Sequence, residues 1–285
     1  IIRMQAWKRY AMIWTSMNMM LIALPAAALY FAGGLSTGLR LFGAEDSWRP
    51  ARSVGIILGF AALLLHAIML YSELFTAGGL NLSFFNAVSL AAWTVAGLLL
   101  VSSLSKPVEN LAILALPLAA ITVLLDLRYP GNHLLGQGAD WALRVHVLTS
   151  MLAYSLLTLA SAQALLLAIQ DNHLRRHHPG GFIRALPPLQ TMEALLFEMI
   201  SLGFLLLSVA LITGFVYLED MFAQHLVHKT VLSIVAWIAF AVLLWGRYRF
   251  GWRGRTAIRW TLVGFAMLML AYFGSKAVIE LILQR

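Results

Sequence analysis

The chain has 285 residues, of which 61% are hydrophobic and only 11% are charged, and its mean hydropathy is +0.83. Soluble domains carry about 25% charged residues, so this composition excludes a soluble globular protein. The absence of cysteine excludes disulfides, thiolate metal sites and thiol redox chemistry. A net charge of +8 is also seen in nucleic-acid-binding proteins, but in a lipid-embedded chain basic residues set the topology. We therefore expect membrane lipid as a partner and no nucleic acid.

Long apolar segments predict an all-α integral membrane protein, because a helix needs about 20 mostly apolar residues to cross a bilayer. The bundle of about eight predicted transmembrane helices spans residues 11–32, 52–72, 82–104, 108–126, 141–170, 194–218, 229–247 and 257–282. The connections between these segments are short. The sequence therefore predicts a single transmembrane domain over residues 1–285.

The lysines and arginines are concentrated in one set of loops, and by the positive-inside rule this side is cytoplasmic. These residues are Arg40, Arg49, Arg52, Lys106, Arg175, Arg176, Arg184, Arg247, Arg249, Arg253, Arg255 and Arg259. Both termini then lie on the outer side. The basic start at Arg3, Lys8 and Arg9 opposes this orientation and, with the apolar run that follows it, resembles a signal peptide. The arginines before the last helix outweigh it.

His66 is a candidate functional residue, because ionisable groups within membrane helices are costly and usually have a role. It lies in the segment LLLHAIMLY of the second predicted helix. Gly55, Gly59 and Ala62 precede it along the same stripe, and such small residues let another helix backbone approach closely. We therefore expect His66 to point into the bundle.

His146 opens the fifth predicted helix and begins a polar stripe. Ser150, Tyr154 and Thr158 follow it at four-residue spacing, which places the four side chains on one helix face. A polar stripe at membrane depth favours a helix contact or an outward-facing cavity over hydrocarbon.

Two interpretations of these histidines remain open from the residues alone. A pair of neutral imidazoles across an apolar cleft can hold haem iron from both sides, here without covalent attachment. Alternatively, each imidazole hydrogen-bonds a neighbouring helix. His225 and His228 form a His-x-x-His pair that lacks the further ligands of a zinc motif. No Walker, Rossmann, catalytic-triad or paired-carboxylate motif is present, so we expect no enzymatic activity.

Several long segments resemble the cytochrome c assembly family of the CcsA type, and most closely its YpjD branch. They are GGLNLSFFNAVSLAAW, HVLTSMLAYSLLTLASAQALLLAIQDNHLRR, LPPLQTMEALLFEMISLGFLLLSVALITGFVY, KTVLSIVAWIAFAVLLWGRYRFGWRGR and LAYFGSKAVIELI. The resemblance covers essentially the whole chain from the first predicted helix to the last.

The resemblance implies an inner (plasma) membrane protein that binds or handles haem at the outer half of the membrane. His66 falls where the family has its first intramembrane histidine, and His146 where it has its first outer haem-ligating histidine. Lys229, Ser233 and Trp237 match the Lys, Ser and Trp that follow the family's outer loop. The resemblance thus implies haem of the b type, held by His66 and His146.

The chain also departs from the family pattern. The segment YLEDMFAQHLVHK contains no tryptophan, although haem-handling members have a tryptophan-rich outer loop. Trp245 replaces the second intramembrane histidine, and the tail YFGSKAVIELILQR lacks the second outer one. These departures favour an alternative function: an accessory subunit of another membrane complex or ion-transport system that keeps the fold but no longer handles haem. A transporter acting alone would need a broken helix or paired intramembrane charges, which we do not find in the sequence.

Overall fold

The computed structural model describes residues 2–43, 49–76, 79–81, 83–131, 134–135, 141–176, 186–217 and 227–274. The chain divides into two compact units, Ile1–Gln137 and Gly138–Arg285. Within the described ranges, eight helices are long and apolar enough to cross a membrane. This confirms the predicted all-α membrane protein. The single domain over residues 1–285 and the side of the termini stay predictions.

Four helices form unit 1. They are α1 (Ile2–Phe42), α2 (Arg52–Leu74), α3 (Phe84–Ser105) and α4 (Ala112–Arg128), and a 3-10 turn at Glu109–Leu111 leads into α4. Helices α1 and α3 each contact both α2 and α4. The four helices therefore form a ring in which α2 and α4 occupy opposite corners.

Glycines set the close approach of α1 and α2. A Cβ atom on Gly55 would lie 3.3 Å from the Gly33 carbonyl oxygen and 2.5 Å from Thr37 Oγ1. A Cβ atom on Gly33 would lie 3.3 Å from the Gly55 carbonyl oxygen and 3.4 Å from the Gly59 amide nitrogen. Small side chains let membrane helices pack backbone to backbone, and the predicted small-residue face at Gly55 and Gly59 is confirmed.

A small antiparallel sheet lies at the end of unit 1 where α2 finishes. Its strands are β1 (Phe75–Thr76), β2 (Gly79–Asn81) and β3 (Leu134–Leu135), with β2 in the centre. Asn81 Nδ2 donates a hydrogen bond to the Gly131 carbonyl oxygen at 2.9 Å. Strands of two or three residues leave no hydrophobic periodicity, so the sequence did not predict them.

Four further helices form unit 2. They are α5 (Trp141–Arg175), α6 (Leu189–Tyr217), α7 (Val227–Phe250) and α8 (Gly254–Met269), and α8 continues into a π-helical turn at Leu270–Gly274. Helix α5 contacts α6 and α8, and α7 contacts the same two helices. Leu157, Ile200 and Phe240 are fully buried in the resulting core. Unit 2 is thus a second four-helix ring.

The basic segment between α7 and α8 is a tight turn. Gly251 and Gly254 adopt positive φ angles of 66° and 52°, which side chains disfavour. The Trp252 amide donates to the Gly246 carbonyl oxygen at 3.2 Å, and the indole packs where a Cβ on Gly246 would clash. Arg247 Nη1 contacts Glu193 Oε1 at 2.9 Å and donates to the Trp252 carbonyl oxygen at 3.1 Å. These contacts fix the turn against α6.

Candidate functional site

His66 lies at the centre of unit 1 and has no exposed surface. Its Nε2 is 2.9 Å from Ser89 Oγ on α3, and its Nδ1 is 3.3 Å from the Tyr30 hydroxyl on α1. The Tyr30 ring stands edge-on to the imidazole, with ring centroids 5.8 Å apart. The prediction that His66 points into the bundle is confirmed. Both of its nitrogens are engaged by hydroxyl groups.

The polar contacts continue from Ser89 to two carboxyl groups. Asp126 on α4 is fully buried and lies beside Glu73 of α2 and close to the Ser89 hydroxyl. Ser89 bonds to His66 and only approaches Asp126. Neither Asp126 oxygen, nor Glu73 Oε2, has a hydrogen-bond partner within the described residues. Unit 1 therefore contains a row of neighbouring polar side chains, Tyr30, His66, Ser89, Asp126 and Glu73, which we call the polar chain.

His146 in unit 2 has different surroundings. Its Nδ1 is 2.9 Å from the Ala210 carbonyl oxygen and 3.3 Å from Thr213 Oγ1, both on α6. A carbonyl oxygen only accepts, so Nδ1 carries the proton and Nε2 keeps its lone pair. The residue is half-buried, and Nε2 has no hydrogen bond within the described part of the chain. His146 thus offers a free, oriented ring nitrogen.

The predicted stripe on α5 continues away from His146. The Tyr154 hydroxyl donates to Met269 Sδ at 2.8 Å, and Thr158 Oγ1 donates to the Tyr154 carbonyl oxygen at 2.8 Å. The Tyr154 ring lies among the rings of Phe265, Tyr272 and Phe273. Ser150 is half-buried. Within the stripe, Tyr154 therefore contacts α8 and the π-helical turn that follows it.

The predicted face of α7 is half-buried at Lys229, Ser233 and Trp237. Trp237 Nε1 donates to Ser208 Oγ on α6 at 2.8 Å, and the indole stacks on Phe204 with centroids 5.4 Å apart. The side chain of His228 lies outside the described residues, as does His225. Of this face, Trp237 is the residue whose contacts hold α7 against α6.

The two histidines differ in their fit to haem iron. His146 fits, because an Nδ1–H donated to a backbone carbonyl is the arrangement that orients metal-bound imidazoles. His66 does not fit in this conformation, because it is enclosed and both nitrogens are in hydrogen bonds. In the part of the chain that the structure describes, no group of three or more His, Cys, Asp or Glu residues could hold another metal ion.

Sequence reasoning missed Tyr30, Glu73 and Asp126 as members of a site. A buried acid within an apolar helix was the available signal for Asp126, which lies in the segment LLDLR. Its partners come from three other helices, so the grouping depends on which helices adjoin. The residue pattern within one helix does not show which other helices lie next to it.

Comparison with known proteins gives a family match over most of the chain. The family model described as "Cytochrome C assembly protein" matches residues 54–283. The chain is 34% identical over 233 residues to "Inner membrane protein YpjD" of Escherichia coli (strain K12), covering 81% of this chain and 88% of that protein.

More distant relatives match shorter segments. The chain is 32% identical over 141 residues to an "Uncharacterized 28.8 kDa protein in nifR3-like 5'region" of Azospirillum brasilense, covering 49% of this chain and 52% of that protein. It is 31% identical over 87 residues to "Cytochrome c biogenesis protein CcsA" of Gloeobacter violaceus, covering 30% of this chain and 26% of that protein. No solved structure matches the chain significantly.

Proposed function

The chain belongs to the cytochrome c assembly protein family, and on this basis we propose that it binds haem non-covalently, with His146 as the iron ligand. The observation that carries the proposal is the Nδ1 hydrogen bond of His146 to Ala210, which leaves Nε2 free. The similarity to YpjD and CcsA proteins supports an inner-membrane location and a role connected with cytochrome c assembly.

The residues around His146 have separate tasks in this proposal. The Ala210 carbonyl oxygen accepts the Nδ1 proton and fixes both the tautomer and the ring orientation. Thr213 Oγ1 donates to the Val209 and Ala210 carbonyl oxygens, so it acts as a second acceptor for Nδ1–H. Hydrogen bonding at Nδ1 also raises the basicity of Nε2 toward a metal. Haem bound there would supply an iron centre able to pass an electron or to be transferred to a partner.

Other predicted contacts to the haem stay predictions. They comprise ligation by His66, secondary contacts from Ser150, Tyr154, Lys229, Ser233, Trp237 and His228, and the outer half of the membrane as the binding depth. The surroundings of His66 argue for His146 as the only ligand from this pair. The cysteine-free sequence supports non-covalent binding, because thioether attachment needs cysteines, and haem of the b type stays a prediction.

The test is a haem titration of the full chain purified in detergent micelles, followed by the Soret band. We expect the wild-type chain to bind haem and His146→Ala to bind it at least about tenfold more weakly. His173→Ala is the matched control, since His173 lies on the same helix and its Nδ1 bonds only its own helix at Ile169. His66→Gln should retain binding. Equal affinity of His146→Ala and the wild-type chain would contradict the proposal.

The second candidate function is the accessory subunit of another membrane complex. It is supported by the absence of tryptophan from residues 217–229. Two aromatic side chains near the end of α7 are also largely exposed, Trp245 at 64% and Tyr248 at 87%. Purification from native membranes separates the two candidates: a stoichiometric protein partner without pigment supports this one, and a pigmented chain without a partner supports haem binding.

A further inference from the structure

The polar chain of unit 1 contains two carboxyl groups that form no ion pair with a described basic side chain. Asp126 is fully buried, and its two oxygens and Glu73 Oε2 have no hydrogen-bond partner among the described residues. Two adjacent carboxylates with buried oxygens repel each other and lose part of their hydration, so without a bound cation the pair favours keeping one proton at neutral pH. The orphaned oxygens therefore point to a bound proton or cation.

The described basic side chains of the surrounding helices do not supply the missing charge. Arg128, the nearest basic residue along α4, lies over the Tyr129 ring at 5.1 Å. Arg40 and Arg52 pair with Glu109, with Nη1 and Nε lying 2.6 and 3.1 Å from Glu109 Oε2. Arg52 begins α2 and Glu73 nearly ends it, so this ion cluster is on the order of 30 Å from the carboxyl pair along the helix.

The remaining neighbours are neutral or weakly ionising. Helix α3 contributes no ionisable side chain, and its Ser89 is the contact to the pair. Among the described side chains of α1, Tyr30 is the ionisable group that contacts His66. With too few ligands for a metal ion among the described residues, a proton is the occupant that this site fits.

We propose that Glu73 and Asp126 bind one proton between them, and that Ser89 transmits the state of this proton to His66 as a choice of tautomer. When the pair holds the proton, the Asp126 carboxyl beside Ser89 rotates to donate to Ser89 Oγ, and the Ser89 hydroxyl donates to His66 Nε2. His66 then carries its own proton on Nδ1 and donates it to the Tyr30 oxygen.

Loss of the shared proton reverses these hydrogen bonds. The Ser89 hydroxyl turns to donate to the Asp126 carboxylate, and its oxygen accepts from His66 Nε2–H. The Tyr30 hydroxyl then donates to Nδ1. His66 stays neutral in both states and exchanges one ring proton position for the other, so one proton leaves the site in total. The polar chain thereby acts as a proton-binding site whose protonation reverses the hydrogen bond between His66 and Tyr30 of α1.

Infrared spectroscopy of the full chain in detergent micelles tests proton binding. At neutral pH the wild-type chain should show a protonated-carboxyl C=O band that shifts in D₂O. The band should be lost in the Glu73→Gln/Asp126→Asn double variant and kept in Asp171→Asn, whose acid pairs with Arg175 at 2.9 Å. If the wild-type chain and the double variant show the same protonated-carboxyl bands, the proposal is overturned, because the pair would then be ionised in the wild-type chain.

Nitrogen NMR of ¹⁵N-histidine-labelled chain tests the coupling to His66, whose signals are identified by their loss in His66→Gln. In the wild-type chain, the Nδ1–H tautomer at neutral pH should change to Nε2–H at the alkaline pH that removes the infrared band. Asp126→Asn should show the same tautomer at both pH values, because its amide does not titrate and its hydrogen bonding to Ser89 does not change with pH. A tautomer that is constant in the wild-type chain, or that still changes in Asp126→Asn, contradicts the coupling.

The wild-type chain alone decides the proposal if the variants fail to fold. The infrared band and the His66 tautomer must then change at the same pH. Changes at two different pH values, or a change in only one of the two signals, would show that the carboxyl pair and His66 are not coupled. A purely structural role for the pair predicts no change in the His66 tautomer.

Discussion

The two candidate histidines differ in how their nitrogens are used. The sequence predicts that both lie on polar or small-residue helix faces, and for His66 this is confirmed by its complete burial. It could not predict that His146 Nε2 is free, because the Ala210 carbonyl that occupies Nδ1 lies 64 residues away. The use of each nitrogen depends on the pairing of helices, which no local pattern encodes.

Removing the Ser89 hydroxyl should destabilise unit 1. In Ser89→Ala, the fully buried His66 Nε2 loses its partner, and a buried unsatisfied polar group costs about 1–3 kcal/mol. We expect a drop of that size in the free energy of unfolding, measured by denaturant titration in mixed micelles.

Ser155→Ala is the matched control for this substitution. Ser155 is equally buried, but its hydroxyl donates only to the Met151 carbonyl of its own helix. Its loss should cost at most about 1 kcal/mol, because no nitrogen is left without a partner. If Ser155→Ala costs as much as Ser89→Ala, the hydrogen bond to His66 is not a significant stabilising contact.

At the scale of elements, the contacts between helices explain why the small-residue face of α2 could be predicted from the sequence and the carboxyl pair could not. The small-residue face at Gly55 and Gly59 was readable from its spacing, because close helix approach needs small side chains. The meeting of Glu73 and Asp126 was not readable, because α2 and α4 occupy opposite corners of their ring and contact the same neighbours. The two acids approach each other across the ring, and only the completed bundle reveals this.

Gly55→Ala should loosen the crossing of α1 and α2. The new Cβ would lie 2.5 Å from Thr37 Oγ1 and 3.3 Å from the Gly33 carbonyl oxygen, so either Thr37 gives up its hydrogen bond to Gly33 or the helices separate. Overpacking of this kind costs about 1–3 kcal/mol of unfolding free energy. Gly38→Ala is the control, because nothing lies within 4 Å of its added Cβ. Similar unfolding free energies for the two variants would argue against a tight crossing.

The whole chain combines a family fold with departures from the family's sequence pattern. Eight membrane-crossing helices and the family match agree with the sequence analysis. The orientation in the membrane remains a prediction that rests on the basic loops, including the turn at Arg253. The free nitrogen of His146 and the missing tryptophans favour different functions, so experiments on haem must decide between them.

The cysteine-free chain allows a direct test of orientation. A single cysteine introduced as Arg253→Cys, in the turn between α7 and α8, should react with a membrane-impermeant maleimide only after the cytoplasmic side is exposed. Pro130→Cys, after α4, should react in intact spheroplasts. The reverse pattern of labelling would place both termini on the cytoplasmic side.

The central claim is that His146 Nε2 binds haem iron, and rescue of a cavity variant by free imidazole tests it most directly. His146→Gly removes the imidazole and leaves space at the ligand position beside Ala210 and Thr213. We predict that the purified variant loses the wild-type Soret band and regains it when imidazole is added, whereas His66→Gly keeps the band without imidazole. A His146→Gly spectrum identical to that of the wild-type chain, with or without imidazole, would contradict the claim.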